Sequence, residues 1–385
     1  MAPVAPARRP RIVRVFSQMG IGGVPRGILS TLRRADRERF DYALLLIKKK
    51  GNWDERVREL DVPVHFQPSR PLWSPVKILQ LARTIRRLAP DLLHVHMNQL
   101  VIPAMTAGRL AGVRRFVVHH HNVYDRYWAE QSRLLTRWEF ALTRRADAIL
   151  AVSQSVARAS RRGLGLPDDA IEVVHNGIDL DMFDHAPRIV PQTEWGLEPG
   201  TPVVAHVSRY ADCKRIEDFI AAAAIVSRRW PADRPRPAFV ILGDGPKSFR
   251  TRYEALLARL GAGVHIWLEG GRSDLPSLLP HIDVGVLASE MEGCPNTILE
   301  FMAARAPIVA TDIDPIAEIV EHGVEALLGP PRRPQTLAAN IERLLLDRPL
   351  AERLAEAARL KTVQYSWDRA IRAYEAVYDR VLNAD

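Results

Sequence analysis

Short apolar runs alternate along this chain with amphipathic segments of helix length, and the alternation starts afresh after a proline-rich interruption. The apolar runs are continuous in Val, Ile and Leu, which is typical of strands buried on both faces of a parallel sheet. Helices between such strands cover the two faces of the sheet. The sequence therefore predicts an α/β fold with two doubly wound, Rossmann-like parallel-sheet domains facing a central cleft that holds the ligand site.

The predicted elements follow this alternation through both halves of the chain. Strands are predicted at residues 12–17, 42–47, 92–96, 116–119, 148–152, 171–175, 203–207, 239–242, 264–268, 284–287 and 308–310. Helices are predicted at residues 25–34, 76–88, 101–111, 131–145, 216–229, 249–260, 335–346, 350–361 and 367–382.

Proline marks the boundary between the two predicted domains. Pro187, Pro191, Pro199 and Pro202 fall within sixteen residues, which is typical of a linker. We therefore expect a disordered leader at residues 1–10, a first domain at 11–186, a linker at 187–201 and a second domain at 202–366.

Composition excludes several classes of protein. A chain of 385 residues can bury a core without disulfides, and its two cysteines form no CxxC pair, so a disulfide scaffold and a zinc ribbon are excluded. No apolar run reaches the roughly 18 residues that a transmembrane helix needs. The first residues contain no apolar stretch typical of a signal peptide, and we expect a cytoplasmic protein.

Charge is distributed unevenly. Residues 1–185 carry a net charge of +12 and the remaining residues a net charge of −3. A basic half favours nucleic acid, an anionic membrane surface or an anionic substrate. No zinc finger, RNP segment or KH loop is present, so we expect no nucleic-acid partner. A non-enzymatic basic protein that binds nucleic acid or a membrane is nevertheless kept as an alternative.

A glycine-rich turn and a run of histidines follow predicted strands of the first domain. Glycines at 20, 22 and 23 precede a helix, where backbone can approach a ligand closely and free N–H groups attract an anion. The turn lacks the GxGxxG pattern of dinucleotide-binding proteins. His119, His120 and His121 end another strand, where neighbouring side chains alternate faces, so at most two of them can converge. We therefore expect no metal site.

Two pairs of charged residues follow predicted strands of the second domain. Arg209 and Lys214 can clamp a diphosphate, Arg through its fork of donors and Lys as a point charge. Glu292 and Glu300 flank the start of a helix that we expect near residue 295. Their carboxylates can accept hydrogen bonds from sugar or ribose hydroxyls, while backbone N–H groups at the helix start meet phosphates.

Taken in chain order, these segments resemble glycosyltransferase family 4, whose members are retaining enzymes of the two-domain GT-B architecture. The glycine turn, the histidine at a strand end, the Arg and Lys pair, the GDGP turn at 243–246 and the Glu-x7-Glu pair come in the family's order. EVVHNGIDLDMF at 172–183 and VILGDGP at 240–246 are similar to segments of that family. The resemblance covers nearly the whole chain.

The resemblance implies a role for each matched residue. Arg209 and Lys214 would bind the donor diphosphate, Glu300 the nucleotide ribose, and Glu292 the sugar hydroxyls. His121 would lie beside the reacting sugar, with His120 as the second choice. The remaining implied binding residues are Gly22, Gly23, Gly293, Cys294, Pro295, Asn296 and Thr297. The last helix, at 367–385, would complete the first domain, which binds the acceptor.

The implied reaction moves a hexosyl group from a nucleotide-diphosphate sugar to an acceptor hydroxyl in polysaccharide, glycolipid or glycoside biosynthesis. UDP-hexose is the first choice of donor and GDP-mannose the second. A sugar-nucleotide epimerase or a phosphorylase on the same fold is the alternative. No metal or other cofactor is expected, because Arg209 and Lys214 already supply positive charge at the diphosphate.

The sequence departs from the family at several turns and leaves the acceptor open. The family often has glycine where Asp314, Pro315 and Ala326 stand, and commonly has it where Arg305 stands. Residues 124–145 mix aromatic side chains with five arginines, as in a helix that lies on an anionic membrane, although a packed helix with a basic outer face is the alternative. The acceptor is accordingly a lipid-linked glycan or a small molecule, and peripheral contact with the inner face of the membrane is one expectation.

Overall fold

The computed structural model describes residues 8–18, 23–49, 57, 60–67, 74–123, 132–260 and 264–384. Contacts divide the chain into two compact units, one formed by residues up to Asn176 together with the segment from Trp367, and the other by Gly177–Ser366. We call them unit 1 and unit 2. Each unit contains one parallel sheet with helices on both faces, which confirms the two predicted Rossmann-like domains.

The strands of both units are short, and those in the middle of each sheet are buried over most of their length. In chain order they are β1 (Arg11–Gln18), β2 (Asp41–Lys49), β3 (Val64–Phe66), β4 (Leu92–His96), β5 (Arg115–His120), β6 (Ala148–Ala151), β7 (Glu172–Val173), β8 (Val203–Val207), β9 (Ala238–Leu242), β10 (Ile266–Gly270), β11 (Val284–Leu287), β12 (Ile308–Thr311) and β13 (Leu327–Gly329).

The helices between them range from a single turn to 17 residues. In chain order they are α1 (Gly23–Arg33), α2 (Pro75–Leu88), α3 (Val101–Ala111), α4 (Arg133–Thr143), α5 (Gln154–Leu164), α6 (Asp181–Asp184), α7 (Pro191–Glu194), α8 (Ile216–Arg229), α9 (Lys247–Ala258), α10 (Leu275–Leu278), α11 (Asn296–Ala303), α12 (Asp314–Ala317), α13 (Pro334–Leu346), α14 (Arg348–Lys361) and α15 (Trp367–Asn383). None of these described helices combines the length and the apolarity that crossing a membrane requires.

Both sheets are doubly wound. The strand order is β3-β2-β1-β4-β5-β6-β7 in unit 1 and β10-β9-β8-β11-β12-β13 in unit 2, and neighbouring strands are parallel. The order reverses between β1 and β4 in unit 1 and between β8 and β11 in unit 2. In such sheets the loops at the carboxyl ends of the strands separate at this switch point and leave room for a ligand.

Successive residues of β1 serve opposite faces of the unit 1 sheet. Ile12 packs in one apolar cluster with α1 and α15, whereas Val13 packs in another with α2 and α3. Trp367 of α15 lies so close to Gly27 of α1 that a Cβ there would stand 2.7 Å from its ring. The last helix therefore completes the core of unit 1, as the family resemblance implies.

The predicted domain boundaries differ from the structure in three places. Residues from Gly177 onward belong to unit 2, because Ile178 N–H donates to the Tyr365 carbonyl at 2.7 Å. The predicted linker at 187–201 contains α7 and is fixed to unit 2, since Ile189 N–H donates to the Ser277 carbonyl at 3.1 Å. Of the predicted leader, residues 1–7 lie outside the described residues, and Arg8 pairs with Asp91 at 2.9 Å.

Several elements were not predicted from the sequence. β3 and β13 have three residues each, too few for an apolar pattern to show. Helix α5 is rich in Arg and Ser, but Ser153 caps its N-terminus by accepting from Val156 N–H at 3.1 Å. Arg305, at a position where the family commonly has glycine, has a φ of 52° and so adopts the left-handed backbone that glycine tolerates best.

Replacing Trp367 with alanine tests the role of the last helix. Its side chain is 3% exposed, and deleting a buried Trp costs about 3–5 kcal/mol. We expect that loss in the free energy of unfolding of unit 1, measured by urea titration followed by circular dichroism. Arg372→Ala, on the exposed face of the same helix, should change it by less than about 0.5 kcal/mol. Equal effects of the two substitutions would contradict the packing described.

Candidate active-site residues of the two units

The charged residues of unit 2 lie on the two loops that flank its switch point. Arg209 and Lys214 follow β8, and Glu292 follows β11, the strand that pairs with β8 on the other side of the reversal. Helix α8 begins just after Lys214, and helix α11 begins just after Pro295. The topology therefore places the predicted donor-binding residues where ligands bind in sheets of this kind.

The GDGP turn packs against the loop that carries Arg209. A Cβ on Gly243 would stand 1.7 Å from the carbonyl oxygen of Ser208, so no larger residue fits without moving the backbone. Tyr210 N–H donates to the Asp244 carbonyl at 2.8 Å. The glycine thus allows two backbone segments to touch, and their contact fixes the loop on which Arg209 stands.

Lys214 and Glu292 form an ion pair. Lys214 Nζ lies 2.5 Å from Glu292 Oε1, and the two side chains are 15% and 9% exposed. The backbone supports the pair, because Glu290 N–H donates to the Cys213 carbonyl at 2.9 Å. Burial raises the pKa of the Cys213 thiol next to Lys214, so this cysteine is a neutral neighbour of the pair. Two residues that are 78 positions apart in sequence are therefore brought together.

Arg209 differs from Lys214 in its surroundings. Its side chain is exposed, and it makes no ion pair with any residue that the structure describes. A guanidinium held on a fixed loop beside a Lys–Glu pair offers donors to an incoming anion. Lys214 and Glu292 are thus in contact, whereas Arg209, on the same loop as Lys214, has no ion-pair partner among the described residues.

The Glu-x7-Glu segment leads into helix α11. Gly293, Cys294 and Pro295 are buried, and the helix begins at Asn296, as the sequence predicted. Thr297 Oγ1 donates to the Val207 carbonyl at 3.2 Å and so ties the helix start to the end of β8. Backbone N–H groups of a first helical turn have no partner within the helix and are suited to an anion.

Glu300 lies within this helix rather than at its mouth. The residue is only 4% exposed. Glu292 lies eight positions earlier, in the loop, whereas Glu300 is on the second turn of the helix. Its predicted part in binding the ribose stays a prediction, as do the predicted parts of Asn296 and Thr297.

A further arginine lies in the segment 270–274, which shapes the turn after β10. Arg272 pairs with both oxygens of Asp274, at 2.9 and 2.7 Å, and with Glu194 at 2.5 Å. These bonds raise the pKa of Arg272 and lower that of Asp274. Each of the three guanidinium nitrogens thus donates to a carboxylate, and Arg272 stabilises this turn.

In unit 1 the predicted histidines divide between the two faces of the sheet. His120 Nδ1 lies 2.7 Å from Ser160 Oγ of α5, whereas His119 and His121 face the opposite side with His94 and His96 of β4. This confirms that two of the three adjacent histidines converge. Gly23 is the first residue of α1, and Gly22 lies outside the described residues.

His121 heads a line of buried polar groups. Its Nε2 lies 3.0 Å from His96 Nδ1, His96 Nε2 lies 3.1 Å from Arg14 Nε, and Arg14 Nη1 donates to Thr31 at 2.6 Å. Burial, with Arg14 as the next cause, lowers the pKa of His121 to about 3. Burial also lowers the pKa of His120 to about 4. These histidines are neutral at physiological pH.

Three of the unit 1 histidines come close enough to be considered as metal ligands. One ring nitrogen of each of His94, His96 and His119 lies within 4.8 Å of the others. Both nitrogens of His96 are already bonded, and the Arg14 guanidinium stands against one of them. A fixed positive charge at a ligand atom opposes a divalent cation. The absence of a metal requirement stays a prediction.

The residues connected by hydrogen bonds to the histidine cluster around His121 were not predicted from the sequence. Arg14, Thr31 and Tyr378 come from a strand and two helices that are distant in sequence, and Tyr378 OH lies 2.6 Å from His94 Nδ1. One signal was present, because Arg14 interrupts an otherwise apolar strand and is only 1% exposed. A charged residue in the middle of a buried strand indicates a built polar site.

Comparison with known proteins identifies the class to which this arrangement belongs. Anabaena HepE, solved in complex with UDP and glucose, superposes with a TM-score of 0.83 at 21% identity, covering 97% of this chain and 100% of the other. Two doubly wound domains of this kind define the GT-B glycosyltransferase architecture.

Sequence comparison then gives the family. The model of glycosyltransferase family 4 matches residues 21–182, and the model of group 1 glycosyl transferases matches residues 192–361. An alpha-D-kanosaminyltransferase of Streptomyces kanamyceticus is 29% identical over 327 residues, 80% of this chain and 83% of that protein. An N-acetyl-alpha-D-glucosaminyl L-malate synthase of Bacillus anthracis is 26% identical, over 80% and 79%. Together the two models match most of the chain, and with the shared fold they identify a GT-B glycosyltransferase of the family 4 type.

The buried histidines predict how stability depends on pH. Unfolded histidine has a pKa near 6.5, whereas folded His120 has one of about 4, so the unfolded chain binds more protons between these values. Stability is therefore lost as pH falls below about 6.5, by up to about 1.4 kcal/mol per pH unit for each such histidine.

Urea titrations at about pH 7, 6 and 5 measure this dependence. His120→Asn keeps a polar group beside Ser160 and removes the titrating ring. The unfolding free energy of this variant should therefore fall less steeply as the pH decreases, with a slope that corresponds to about one proton fewer. A midpoint that does not move between pH 7 and 5 would contradict the burial of neutral histidines.

Proposed function

We propose that this glycosyltransferase moves a hexosyl group from a UDP-hexose to an acceptor hydroxyl with retention of configuration and without a metal ion. GDP-mannose is the second choice of donor. The observation that carries the proposal is the ion pair between the half-buried Lys214 and Glu292 at the switch point of unit 2, with the exposed Arg209 on the same loop as Lys214. Cations and a carboxylate in contact suit a ligand that has both a diphosphate and sugar hydroxyls.

The charges of the leaving group determine what these residues do. Breaking the bond between the sugar carbon and the diphosphate leaves negative charge on the β-phosphate. Arg209, Lys214 and the first N–H groups of α11 are fixed donors for that charge, and preorganised donors of this kind contribute much of an enzyme's catalysis. No divalent cation is required in this scheme, because two side-chain cations take its place.

Glu292 has a separate part in the proposal. When Lys214 Nζ binds the diphosphate, the Glu292 carboxylate is released from the ion pair and can accept hydrogen bonds from hydroxyls of the donor sugar. The acceptor oxygen then attacks the sugar carbon from the face that the diphosphate leaves, and its proton passes to a leaving phosphate oxygen. An attack of this kind gives retention without a protein nucleophile, which is the mechanism that the resemblance to glycosyltransferase family 4 implies.

The choice of UDP rests on similarity. The structurally similar HepE was solved with UDP and glucose, and the family's donor residues are present here at Arg209, Lys214, Glu292 and Glu300. The Bacillus anthracis relative is named for an L-malate acceptor, which favours a small polar acceptor.

A nucleoside-diphosphate release assay tests the donor site. Purified protein is given UDP-, GDP-, ADP- and TDP-sugars, all with EDTA, and thermal shift is recorded on the same samples. We expect release of UDP that EDTA does not reduce. In Arg209→Ala/Lys214→Ala it should fall at least about 100-fold, since each fixed donor is worth roughly 2.7–4 kcal/mol.

The control is Arg228→Ala/Arg236→Ala, which removes the same charge at the other end of helix α8. Both arginines are exposed; Arg228 lies in the last turn of this 14-residue helix, which is about 20 Å long, and Arg236 follows the helix. The control should release UDP at the wild-type rate. If no nucleotide is released and none stabilises the wild-type protein, the donor-site assignment is wrong.

Helix α4 supports a proposal that unit 1 rests on an anionic membrane and takes its acceptor there. Leu134 is 78% exposed and Trp138 41% exposed, one turn apart, and Arg133 and Arg137 are exposed beside them. Apolar side chains next to arginines favour the interface of a bilayer with anionic lipids. Tyr127 and Trp128, which the sequence analysis grouped with them, lie outside the described residues.

Co-sedimentation with phosphatidylglycerol vesicles tests the membrane proposal. Leu134→Ser/Trp138→Ser should weaken binding at least about tenfold, because each buried apolar side chain is worth roughly 1.5–3 kcal/mol. Leu360→Ser/Val363→Ser removes comparably exposed apolar groups from unit 2 and should leave binding unchanged. Equal binding by both double variants and the wild type would exclude α4 as the contact and favour a soluble acceptor.

A further inference from the structure

Arg14 is a buried cation that the donor-site chemistry does not use. It stands in the middle of β1, in register with His94, and it is 1% exposed. It forms no ion pair with any carboxylate in the described part of the chain. Its bonds go to Thr31 and to His96, and its guanidinium lies 5.5 Å from the centre of the Tyr374 ring. Burying a charge without a counterion is costly. The hydrogen bond from Arg14 to His96 therefore indicates a functional reason for placing an arginine here.

The proton positions along this line follow from the chemistry of arginine. An arginine side chain carries a hydrogen on Nε and has no acceptor, so Arg14 Nε donates to His96 Nε2 at 3.1 Å. His96 Nε2 must therefore hold a lone pair. A neutral His96 then carries its one proton on Nδ1, the atom that lies 3.0 Å from His121 Nε2.

The same reasoning passes to the next ring. Because His96 Nδ1 is a donor, His121 Nε2 is the acceptor, and neutral His121 carries its proton on Nδ1. His121 Nδ1 is buried and has no hydrogen-bond partner within the described residues. His121 lies at the carboxyl end of β5, and its Nδ1–H has no acceptor among the residues that the structure describes.

We propose that Arg14 and His96 are positioning residues that hold His121 in its Nδ1–H tautomer, so that His121 presents a neutral hydrogen-bond donor to a substrate oxygen. This rests on the proposed function and on the family resemblance, which implies that His121 lies beside the reacting sugar. The ligand atom that fits is an uncharged hydroxyl or ring oxygen of a sugar. His121 cannot act as a general base, because its only lone pair accepts from His96.

The surrounding groups leave this arrangement undisturbed. His94 stacks on His96, His119 lies tilted against His121, and Tyr374 of α15 contacts His94 and His119 edge-on. His120 lies on the other face of the sheet, against Ser160. None of these neighbours donates to His96 Nε2, so Arg14 alone fixes the direction of the chain of hydrogen bonds.

Nitrogen-15 NMR of histidine-labelled protein reads the tautomer directly, because protonated and unprotonated ring nitrogens differ widely in chemical shift. The His121 signals are assigned from their loss in His121→Gln. In the wild type we expect Nδ1 protonated and Nε2 unprotonated. An Nε2–H tautomer in the wild type overturns the proposal, and this measurement needs no variant that could fail to fold.

Two substitutions of Arg14 separate a positioning role from a merely structural one. Arg14→Met keeps an unbranched side chain and removes the donor and the charge, so His121 should lose its single tautomer and show averaged signals. Arg14→Lys keeps a charged donor and should retain the wild-type tautomer. Wild-type tautomers in both variants, each shown to be folded by circular dichroism, overturn the proposal.

Activity distinguishes this inference from the function on which it rests. We expect Arg14→Met to lower kcat about tenfold with little change in KM for the donor, and Arg14→Lys to be close to the wild type. If the NMR result is as expected but His121→Ala releases nucleotide at the wild-type rate, the tautomer assignment stands and the placement of His121 at the sugar is wrong. If UDP release is absent in every sample, the donor assignment fails and the NMR result still decides the tautomer.

Discussion

All the strands of each sheet run in one direction, and the arrangement of the candidate site depends on this constraint. Parallel strands bring every carboxyl end to the same edge, so residues far apart in sequence meet there. Lys214 and Glu292 come together because β8 and β11 are neighbours in the sheet. His96 and His121 meet for the same reason, since β4 and β5 are neighbours.

Much of this arrangement could be predicted from the sequence because its causes are local. Continuous apolar runs predicted the exact bounds of β4 and β8. Segments of helix length between such runs predicted the exact bounds of α3 and α8. Proline-rich composition was a poorer guide. Residues 187–201 looked like a linker, yet backbone hydrogen bonds to distant segments attach them to unit 2.

The chemistry of the site was predictable to the extent that a motif carries it. Arg209, Lys214 and the Glu-x7-Glu pair were found because each follows a strand end and matches a family segment. The ion pair between Lys214 and Glu292 could not be found in this way, because it depends on the distance between two loops. Arg14 and Thr31 were missed for a similar reason, since no pattern in the sequence links them to His96 or to His121, which lies 25 positions after His96.

Helix α15 makes unit 1 a discontinuous unit, since its core closes only when the last segment of the chain packs against β1 and α1. A ribosome makes the chain from its N-terminus, so the sheet of unit 1 exists as polypeptide long before Trp367 and Tyr378 are added. During that interval α1 alone of these two helices covers that face of the sheet. Most of unit 1 is thus synthesised before unit 2 but completed after it, and unit 2 can fold while unit 1 still lacks α15.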